Sequence, residues 1–417
     1  MRFSALDSWR GIAALAVALL HSPFQSHFQA LQVVQNSYLL VDFFFVLSGF
    51  VITHAYLQRL RKPGGFGSFV IRRFGRLWPL HIFVLGAFLV LELVKLLLVD
   101  GAQLAAKSPP FTGGTSLESL FSSIFLAQSL GLHDAVTWNA PSWSISVEFY
   151  TYLLFALVVL TLGRYMLSAA VILILGSLSI IIGLAHGFMG VSLDYGFFRC
   201  IAGFFMGYLT YRAYRTAGAS ISAGSETAAL AIMLLFLLYA GRGVPTVLAP
   251  FVFSLIVFVF AAEGGTISRL LRRQPFRALG EWSYSIYMVH AFFVVVIMRA
   301  AQVIATLTGS PLLAHSVAAG GEPQKTLVYW GNAYLTDAMT AVYLALTILI
   351  ASLTYRFVEQ PGRSWFNRVA QRHESRRAAN LNGLAPKAAA VAAEGHRATD
   401  PAQVPRRSPF MVRDETV

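Results

Sequence analysis

Ten runs of predominantly apolar residues, each about as long as a membrane-spanning helix, constrain this chain more than any other feature of its sequence. An α-helix of about 20 residues crosses the hydrocarbon core of a bilayer. The composition agrees with a membrane protein, because 56% of the 417 residues are hydrophobic and only 12% are charged. We therefore predict an all-α, polytopic integral membrane helical bundle of about ten transmembrane helices, near residues 8–24, 38–58, 77–99, 142–162, 166–186, 194–212, 226–241, 246–263, 281–307 and 334–356.

The basic residues of the chain alternate from loop to loop. The segment between the second and third runs is rich in arginine, whereas residues 25–37 and 187–193 contain neither lysine nor arginine. By the positive-inside rule, both termini lie in the cytoplasm and the protein spans the cell's inner membrane several times. This topology also accounts for the net charge of +13. We therefore predict contact with membrane lipid and no nucleic-acid partner.

The composition changes near residue 365, where Arg, Ala, Glu and Pro replace the apolar residues. We predict a transmembrane domain over residues 1–365 and a basic, disordered cytoplasmic tail over residues 366–417. The first apolar run follows Asp7 and lacks a convincing cleavage site, so it is interpreted as a retained span. Cys200 is the only cysteine, which excludes an intramolecular disulfide and a thiolate metal cage. We predict no metal site.

The first apolar run carries Asp7, Arg10 and His21. At about 100° per residue, Arg10 and His21 lie within roughly 20° of each other around a helix, and Asp7 lies to the other side of Arg10. All three ionisable groups therefore share one face. Because charged groups are costly in hydrocarbon, we expect this face to point into the bundle.

Two carboxylates are predicted to lie near the depth of His21. His21 is about 20 Å from the inner edge of the membrane, Glu148 is about 10 Å below the outer edge on a descending span, and Asp42 is slightly nearer the outer surface. An imidazole beside a carboxylate suits a general base that takes a proton from a hydroxyl. The alternative is a histidine that is satisfied by a neighbouring helix.

A second polar cluster is predicted at the cytoplasmic edge of the third span. Arg72, Arg73 and Arg76 are close in sequence, and His81 follows one to two turns later. Such a cluster can bind phosphate groups bidentately, although ordinary positive-inside charge is the favoured explanation from these residues alone. If both clusters are functional, a phosphate-bearing donor enters from the cytoplasm and a hydroxyl acceptor is met near the outer face.

Six motifs occur in one order along the chain and together resemble the acyltransferase family 3 of membrane O-acyltransferases. They lie at residues 6–13 with His21, 41–50, 73–79, 141–150, 280–290 and 357–361. The resemblance implies transfer of an acyl group, usually acetyl from acetyl-CoA, to a sugar hydroxyl of an envelope or exported glycan. Succinyl or another short acyl group is also compatible, as are direct transfer and a brief acyl-enzyme intermediate.

The resemblance also implies roles for particular residues. His21 would be the catalytic base, with Glu148 and Asp42 as its partners or as acceptor ligands. The donor would contact the basic residues Arg10, Arg72, Arg73, Arg76 and His81. Residues that would bind the acceptor or support the site are Asp7, Trp143, Tyr284, Tyr287 and His290. No outer segment is long enough for an appended domain, so transfer would finish in the membrane domain or with a separate partner protein.

Two other functions use the same sequence features. A transporter or flippase for a glycan or another polar substrate would use the buried charges as a translocation path, but the sequence shows no internal repeat. A membrane scaffold or sensor would leave His21 and Glu148 unexplained. The acyltransferase is therefore the favoured interpretation.

Overall fold

The computed structural model describes residues 3–102, 109–217, 223–315 and 326–377. Within these ranges the helices are α1 (Ser4–Leu20), α2 (His27–Ala30), α3 (Gln32–Gln35), α4 (Leu40–Tyr56), α5 (Gly65–Ala102), α6 (Leu117–Ile124), α7 (Ser142–Thr161), α8 (Met166–Leu184), α9 (Gly196–Ala217), α10 (Ala223–Tyr239), α11 (Ala249–Ala261), α12 (Thr266–Leu271), α13 (Gln274–Thr308) and α14 (Ala333–Thr354). Two short strands, β1 (Leu313–His315) and β2 (Thr326–Val328), form an antiparallel hairpin that the all-α prediction did not include.

Each of the ten predicted spans coincides with a helix of the described chain. Seven helical segments are long and apolar enough to cross a membrane: Gln32–Tyr56, Gly65–Leu97, Ser142–Thr161, Gly163–Leu184, Val244–Ala261, Gln274–Thr308 and Ala333–Arg377. The other three predicted spans correspond to α1, α9 and α10, of which α1 and α10 have only 17 residues each. The protein is thus a helical, multi-pass membrane protein, and the count of ten spans and the cytoplasmic termini stay predictions.

The last described helix continues beyond the predicted domain boundary at residue 365. It passes through a π-helical turn at Tyr355–Glu359 and ends at Arg377. Residues 366–377 therefore differ from the predicted disordered tail. They are held against α5, where the Phe366 ring lies 5.8 Å from that of Phe74 and Arg72 donates to the Glu374 carboxylate over 3.3 Å. Residues 378–417 lie outside the described residues.

The segment of residues 117–125, which includes α6, folds back along α5. In α5, Trp78 Nε1 donates to the Ile124 carbonyl over 3.0 Å, and His81 Nε2 donates to the Ser123 carbonyl over 2.8 Å. The neighbouring Phe121 and Phe125 side chains are exposed. The phenylalanine side chains of this segment therefore face away from the bundle, and its carbonyl groups are hydrogen-bonded to α5. This arrangement is typical of a segment that faces lipid.

Helices α1 and α13 run in the same direction and meet backbone to backbone. A Cβ atom at Gly11 would overlap the Leu279 backbone, and one at Gly280 would overlap the Asp7 backbone. Small residues at such contacts let membrane helices approach closely. The contact brings the α1 backbone near Asp7 and Gly11 against the α13 backbone near Gly280.

A similar contact between α4 and α9 gives a stability prediction. A Cβ atom at Gly49 would overlap the Phe204 carbonyl oxygen, whereas one at Gly86 on α5 would meet nothing within 4 Å. We expect Gly49→Ala to lower stability by about 1–3 kcal/mol because the helices must separate. Gly86→Ala is the matched control and should cost nothing, since alanine is the better helix former. Thermal unfolding in detergent, followed by size-exclusion chromatography, measures both, and equal midpoints would contradict the expectation.

Candidate active site

A cavity of about 130 Å³ lies where α1, α4, α5, α7 and α13 meet. Its wall is apolar on the α4 side, where Val41, Phe44 and Leu47 contribute. The charged and polar side chains that line it are Asp7, Arg10, Ser48, Arg73, Arg76, Ser144, Glu148, Tyr152, Ser283, Tyr284 and Tyr287. Three arginines face two carboxylates, so the lining carries a net positive charge.

Arg76 is the arginine that is most firmly held. Its Nη1 donates to the carboxylate of Glu359, whose side chain is 1% exposed. The guanidinium lies 5.4 Å from the centroid of the Tyr284 ring. The Tyr284 hydroxyl donates in turn to the Leu77 carbonyl over 2.6 Å. One side of Arg76 is therefore fixed by the protein, and the residue also lines the cavity.

Arg73 is held by an aromatic residue instead of a carboxylate. Its Nη2 donates to the Tyr56 hydroxyl over 2.9 Å, and its guanidinium lies 4.9 Å from the Tyr56 ring centroid. Arg73 Nε is buried without a hydrogen-bond partner among the described residues, and so is the hydroxyl of Ser283. Because buried polar groups are normally hydrogen-bonded, these two cavity-lining residues point to a ligand.

Glu148 lies among the arginines. The Tyr152 hydroxyl donates to Glu148 Oε1 over 2.6 Å and is itself 2.9 Å from the Ser48 hydroxyl oxygen. Arg10 lines the same cavity and forms a 3.9 Å ion pair with Asp7 one turn earlier. Glu148 therefore shares this cavity with Arg10, whereas His21 does not line it.

His21 follows the end of α1 and is absent from the cavity lining. It is eleven residues beyond Arg10, about 16 Å further along the helix direction. Its Nδ1 is 2.8 Å from the Val17 carbonyl. Since a carbonyl only accepts, Nδ1 carries the proton, and the neutral ring keeps its lone pair on Nε2. This tautomer suits a base that acts through Nε2.

His290 is the aromatic neighbour of His21. The two ring centroids are 5.2 Å apart, and His290 Nδ1 is 3.3 Å from the Ile286 carbonyl. The Tyr287 ring lies 5.8 Å from His290 and also lines the cavity. The Tyr287 and Ser144 hydroxyl oxygens are 2.9 Å apart. A continuous set of side chains thus connects the cavity to His21.

Asp42 does not join His21. Arg199 Nε donates to Asp42 Oδ1 over 3.0 Å and Nη2 donates to Oδ2 over 2.7 Å, in a pair that is 2% and 0% exposed. The guanidinium also lies 5.4 Å from the Trp143 ring centroid. The predicted partnership of Asp42 with His21 is therefore wrong, because the buried carboxylate is neutralised by Arg199. Trp143 therefore contacts the Asp42–Arg199 ion pair and does not line the cavity.

Two members of the predicted donor cluster lie outside the cavity. Arg72 donates to Asn367 over 3.4 Å and to Glu374 over 3.3 Å near the end of the last described helix. His81 is buried against the Ser123 carbonyl. The cluster therefore divides, since Arg73 and Arg76 turn towards the cavity and the other two residues turn away from it.

The sequence interpretation missed several residues of these clusters. Arg199 is a charged residue in the sixth predicted span, and its position alone could have identified it as a buried functional or structural group. Ser283 lies in the motif at residues 280–290, whereas Tyr56 and Tyr152 carry no comparable signal, because tyrosine is common in membrane helices. Among the residues that the structure describes, no group of three or more His, Cys, Asp or Glu side chains could hold a metal ion.

The helices and the basic cavity define a multi-pass membrane protein with an internal polar site. The sequence profile of the acyltransferase domain matches residues 3–356, and the chain belongs to this acyltransferase family, as its motifs indicated. It is 27% identical over 327 residues to the acyltransferase MdmB of Streptomyces mycarofaciens, an alignment that covers 70% of this chain and 78% of that protein.

A second relative is protein 2 in the picA locus of Rhizobium radiobacter, which is 34% identical over 164 residues. That alignment covers 35% of this chain and 77% of the relative. No solved structure matches the chain. The family and the named relative support an acyltransferase activity.

Proposed function

We propose that the protein is an O-acyltransferase that moves a short acyl group, acetyl from acetyl-CoA in the simplest case, to a sugar hydroxyl of an exported or cell-surface glycan. The observation that carries this proposal is the cavity lined by Arg10, Arg73 and Arg76, in which Arg73 Nε and the Ser283 hydroxyl are buried without a hydrogen-bond partner in the described part of the chain. Unpartnered donors beside clustered guanidinium groups favour a phosphate-bearing ligand. Acyl-CoA is such a ligand.

The distance between the arginines and His21 suits a donor of this shape. The phosphates of acyl-CoA and its thioester are the two ends of an extended pantetheine arm. With the phosphates at Arg73 and Arg76, the arm would pass Tyr284 and Tyr287 towards His21 and His290. The acceptor would approach His21 from the outer side, where the His21 side chain is exposed.

In the proposed reaction, His21 Nε2 takes the proton of the acceptor hydroxyl while its oxygen attacks the thioester carbonyl carbon. The new C–O bond forms, the C–S bond breaks, and the imidazolium returns the proton to the CoA thiolate. Protons balance within one cycle. The Nδ1–H bond to the Val17 carbonyl supports this role because it stabilises the imidazolium as it forms.

The experiment that tests the function is the release of base-labile acyl groups from surface and exported glycans. A strain that lacks the gene should lose them, and wild-type protein should restore them. The released acid identifies the acyl group, and fractionation of the glycans identifies the acceptor. Unchanged acyl content together with reduced glycan export would instead favour a transporter.

Arg73→Ala tests the donor side. We expect the KM for acyl-CoA to rise about 10-fold or more, since a charge-assisted hydrogen bond to a phosphate contributes about 1.5–3 kcal/mol. An acyl-pantetheine donor, which lacks the phosphates, should be used equally by mutant and wild type. Arg72→Ala is the matched control, because the neighbouring guanidinium is bound to Glu374 outside the cavity. Equal effects of both substitutions would argue against a donor site at Arg73.

A further inference from the structure

The π-helical turn at Tyr355–Glu359 interrupts an otherwise regular helix that runs from Ala333 to Arg377. A π turn contains one residue more than an α turn, and such turns occur frequently at functional sites. The extra residue rotates the side chains of all later residues by about 100° around the helix axis. At the end of the turn, the Glu359 side chain is 1% exposed and faces the bundle.

Both oxygens of the Glu359 carboxylate are bound by other helices. Arg76 of α5 donates to Oε1, and the Ser285 hydroxyl of α13 donates to Oε2 over 2.8 Å. Glu359 does not line the cavity, whereas Arg76 does. The carboxylate therefore contacts the back of a guanidinium whose other side faces the proposed donor.

Close packing fixes the helix of Glu359 relative to that of Arg76. A Cβ atom at Gly362 would overlap the ring of Pro79, and one at Gly75 would overlap the ring of Phe366. Both contacts lie within about two turns of Glu359 along its helix, and on α5 they lie on either side of Arg76. The carboxylate therefore cannot follow a moving Arg76 side chain by a shift of its backbone.

We infer that Glu359 is a positioning residue, which orients the Arg76 guanidinium in the cavity so that it can bind the phosphates of the acyl donor. The inference rests on the proposed function. The pair of Arg76 and Glu359 carries no net charge, so Glu359 weakens the electrostatic attraction between this site and a phosphate. Its benefit to binding therefore lies in the orientation of the guanidinium. A long, flexible side chain that is already ordered loses less entropy when the ligand binds.

Glu359→Gln tests the inference because it keeps the shape and the bond from Ser285 but removes the charge. We expect the KM for acyl-CoA to rise about fivefold or more, as expected when a charge-assisted hydrogen bond becomes a neutral one. The kcat, and the use of acyl-pantetheine, should change less than twofold. Glu374→Gln is the matched control, since Glu374 pairs with Arg72 from the same helix but outside the cavity. An unchanged KM in Glu359→Gln overturns the inference.

A double-mutant cycle separates this inference from the proposed function. If Glu359 acts through Arg76, then Glu359→Gln with Arg76→Gln should raise the KM for acyl-CoA no further than Arg76→Gln alone. Additive effects would overturn the positioning role. An Arg76→Gln variant with wild-type KM would instead count against the donor site itself.

If Glu359→Gln does not yield a monodisperse protein, Ser285→Ala replaces it in the experiment. That substitution removes one of the two bonds on the carboxylate and leaves its charge paired. The KM for acyl-CoA should rise in the same direction by a smaller factor. A wild-type KM in Ser285→Ala would overturn the inference.

Discussion

His21→Ala is expected to lower acyl transfer by about 10²- to 10⁴-fold, the usual contribution of a positioned general base. The protein should still insert and fold, because His21 follows the last residue of α1 and its side chain is exposed. Base-labile acyl groups on glycans, compared at matched protein levels, measure the loss in cells. Turnover of purified protein with acyl-CoA measures it in vitro, where kcat should fall and the KM for the donor should change little.

His27→Ala is the matched control for this substitution. His27 lies six residues beyond His21, and its Nδ1 is 2.7 Å from the carboxylate of Asp337. It does not line the cavity, and its ring centroid lies 5.4 Å from that of Tyr334. Its replacement should leave acyl transfer unchanged. Normal activity in His21→Ala would refute the assignment of the base, and loss in both variants would indicate a structural effect.

The second large effect is expected on stability, at the buried pair of Asp42 and Arg199. Removing one partner of a buried ion pair leaves an uncompensated charge and costs about 3–5 kcal/mol. Arg199→Met should therefore lower the thermal midpoint of the protein in detergent sharply. Its guanidinium also donates to the carbonyls of Tyr38 and Val191, which lose a donor at the same time.

The double substitution Asp42→Leu with Arg199→Met distinguishes charge from packing. Replacing both members of a buried pair by apolar residues of similar volume is often neutral or stabilising. The double variant should thus recover most of the midpoint that Arg199→Met loses. Glu374→Gln is the control, because its partly exposed pair with Arg72 should contribute only about 0–1 kcal/mol. A double variant as unstable as the single one would show that the hydrogen bonds to the carbonyls matter more than the charges.

The helices were predictable because their burial in lipid imposes long apolar runs on the sequence. The polar face of α1 was predictable because the spacing of Asp7 and Arg10 places both residues on one side of a regular helix. The six motifs identified the family, and the profile match over residues 3–356 confirms it.

The contacts of the site were not predictable, because they depend on how helices distant in sequence pack. Glu148 was placed by counting residues from a span edge, but its carboxylate accepts from Tyr152 of its own helix and shares the cavity with Arg10 of α1. Asp42 was given the wrong partner because Arg199 is 157 residues away in sequence. The position of Glu359 depends on a π turn, which a periodicity of 3.6 residues cannot indicate.

The backbone contact between Gly11 and α13 also bears on how the protein is made. Helix α1 is synthesised long before α13, so its charged face enters the bilayer without the helix that will cover it. During translation, Asp7 and Arg10 therefore have to be sheltered by water, lipid headgroups or the insertion machinery. The site around them is completed only when residues 274–308 enter the membrane, which makes assembly of the cavity one of the last steps in the biogenesis of the protein.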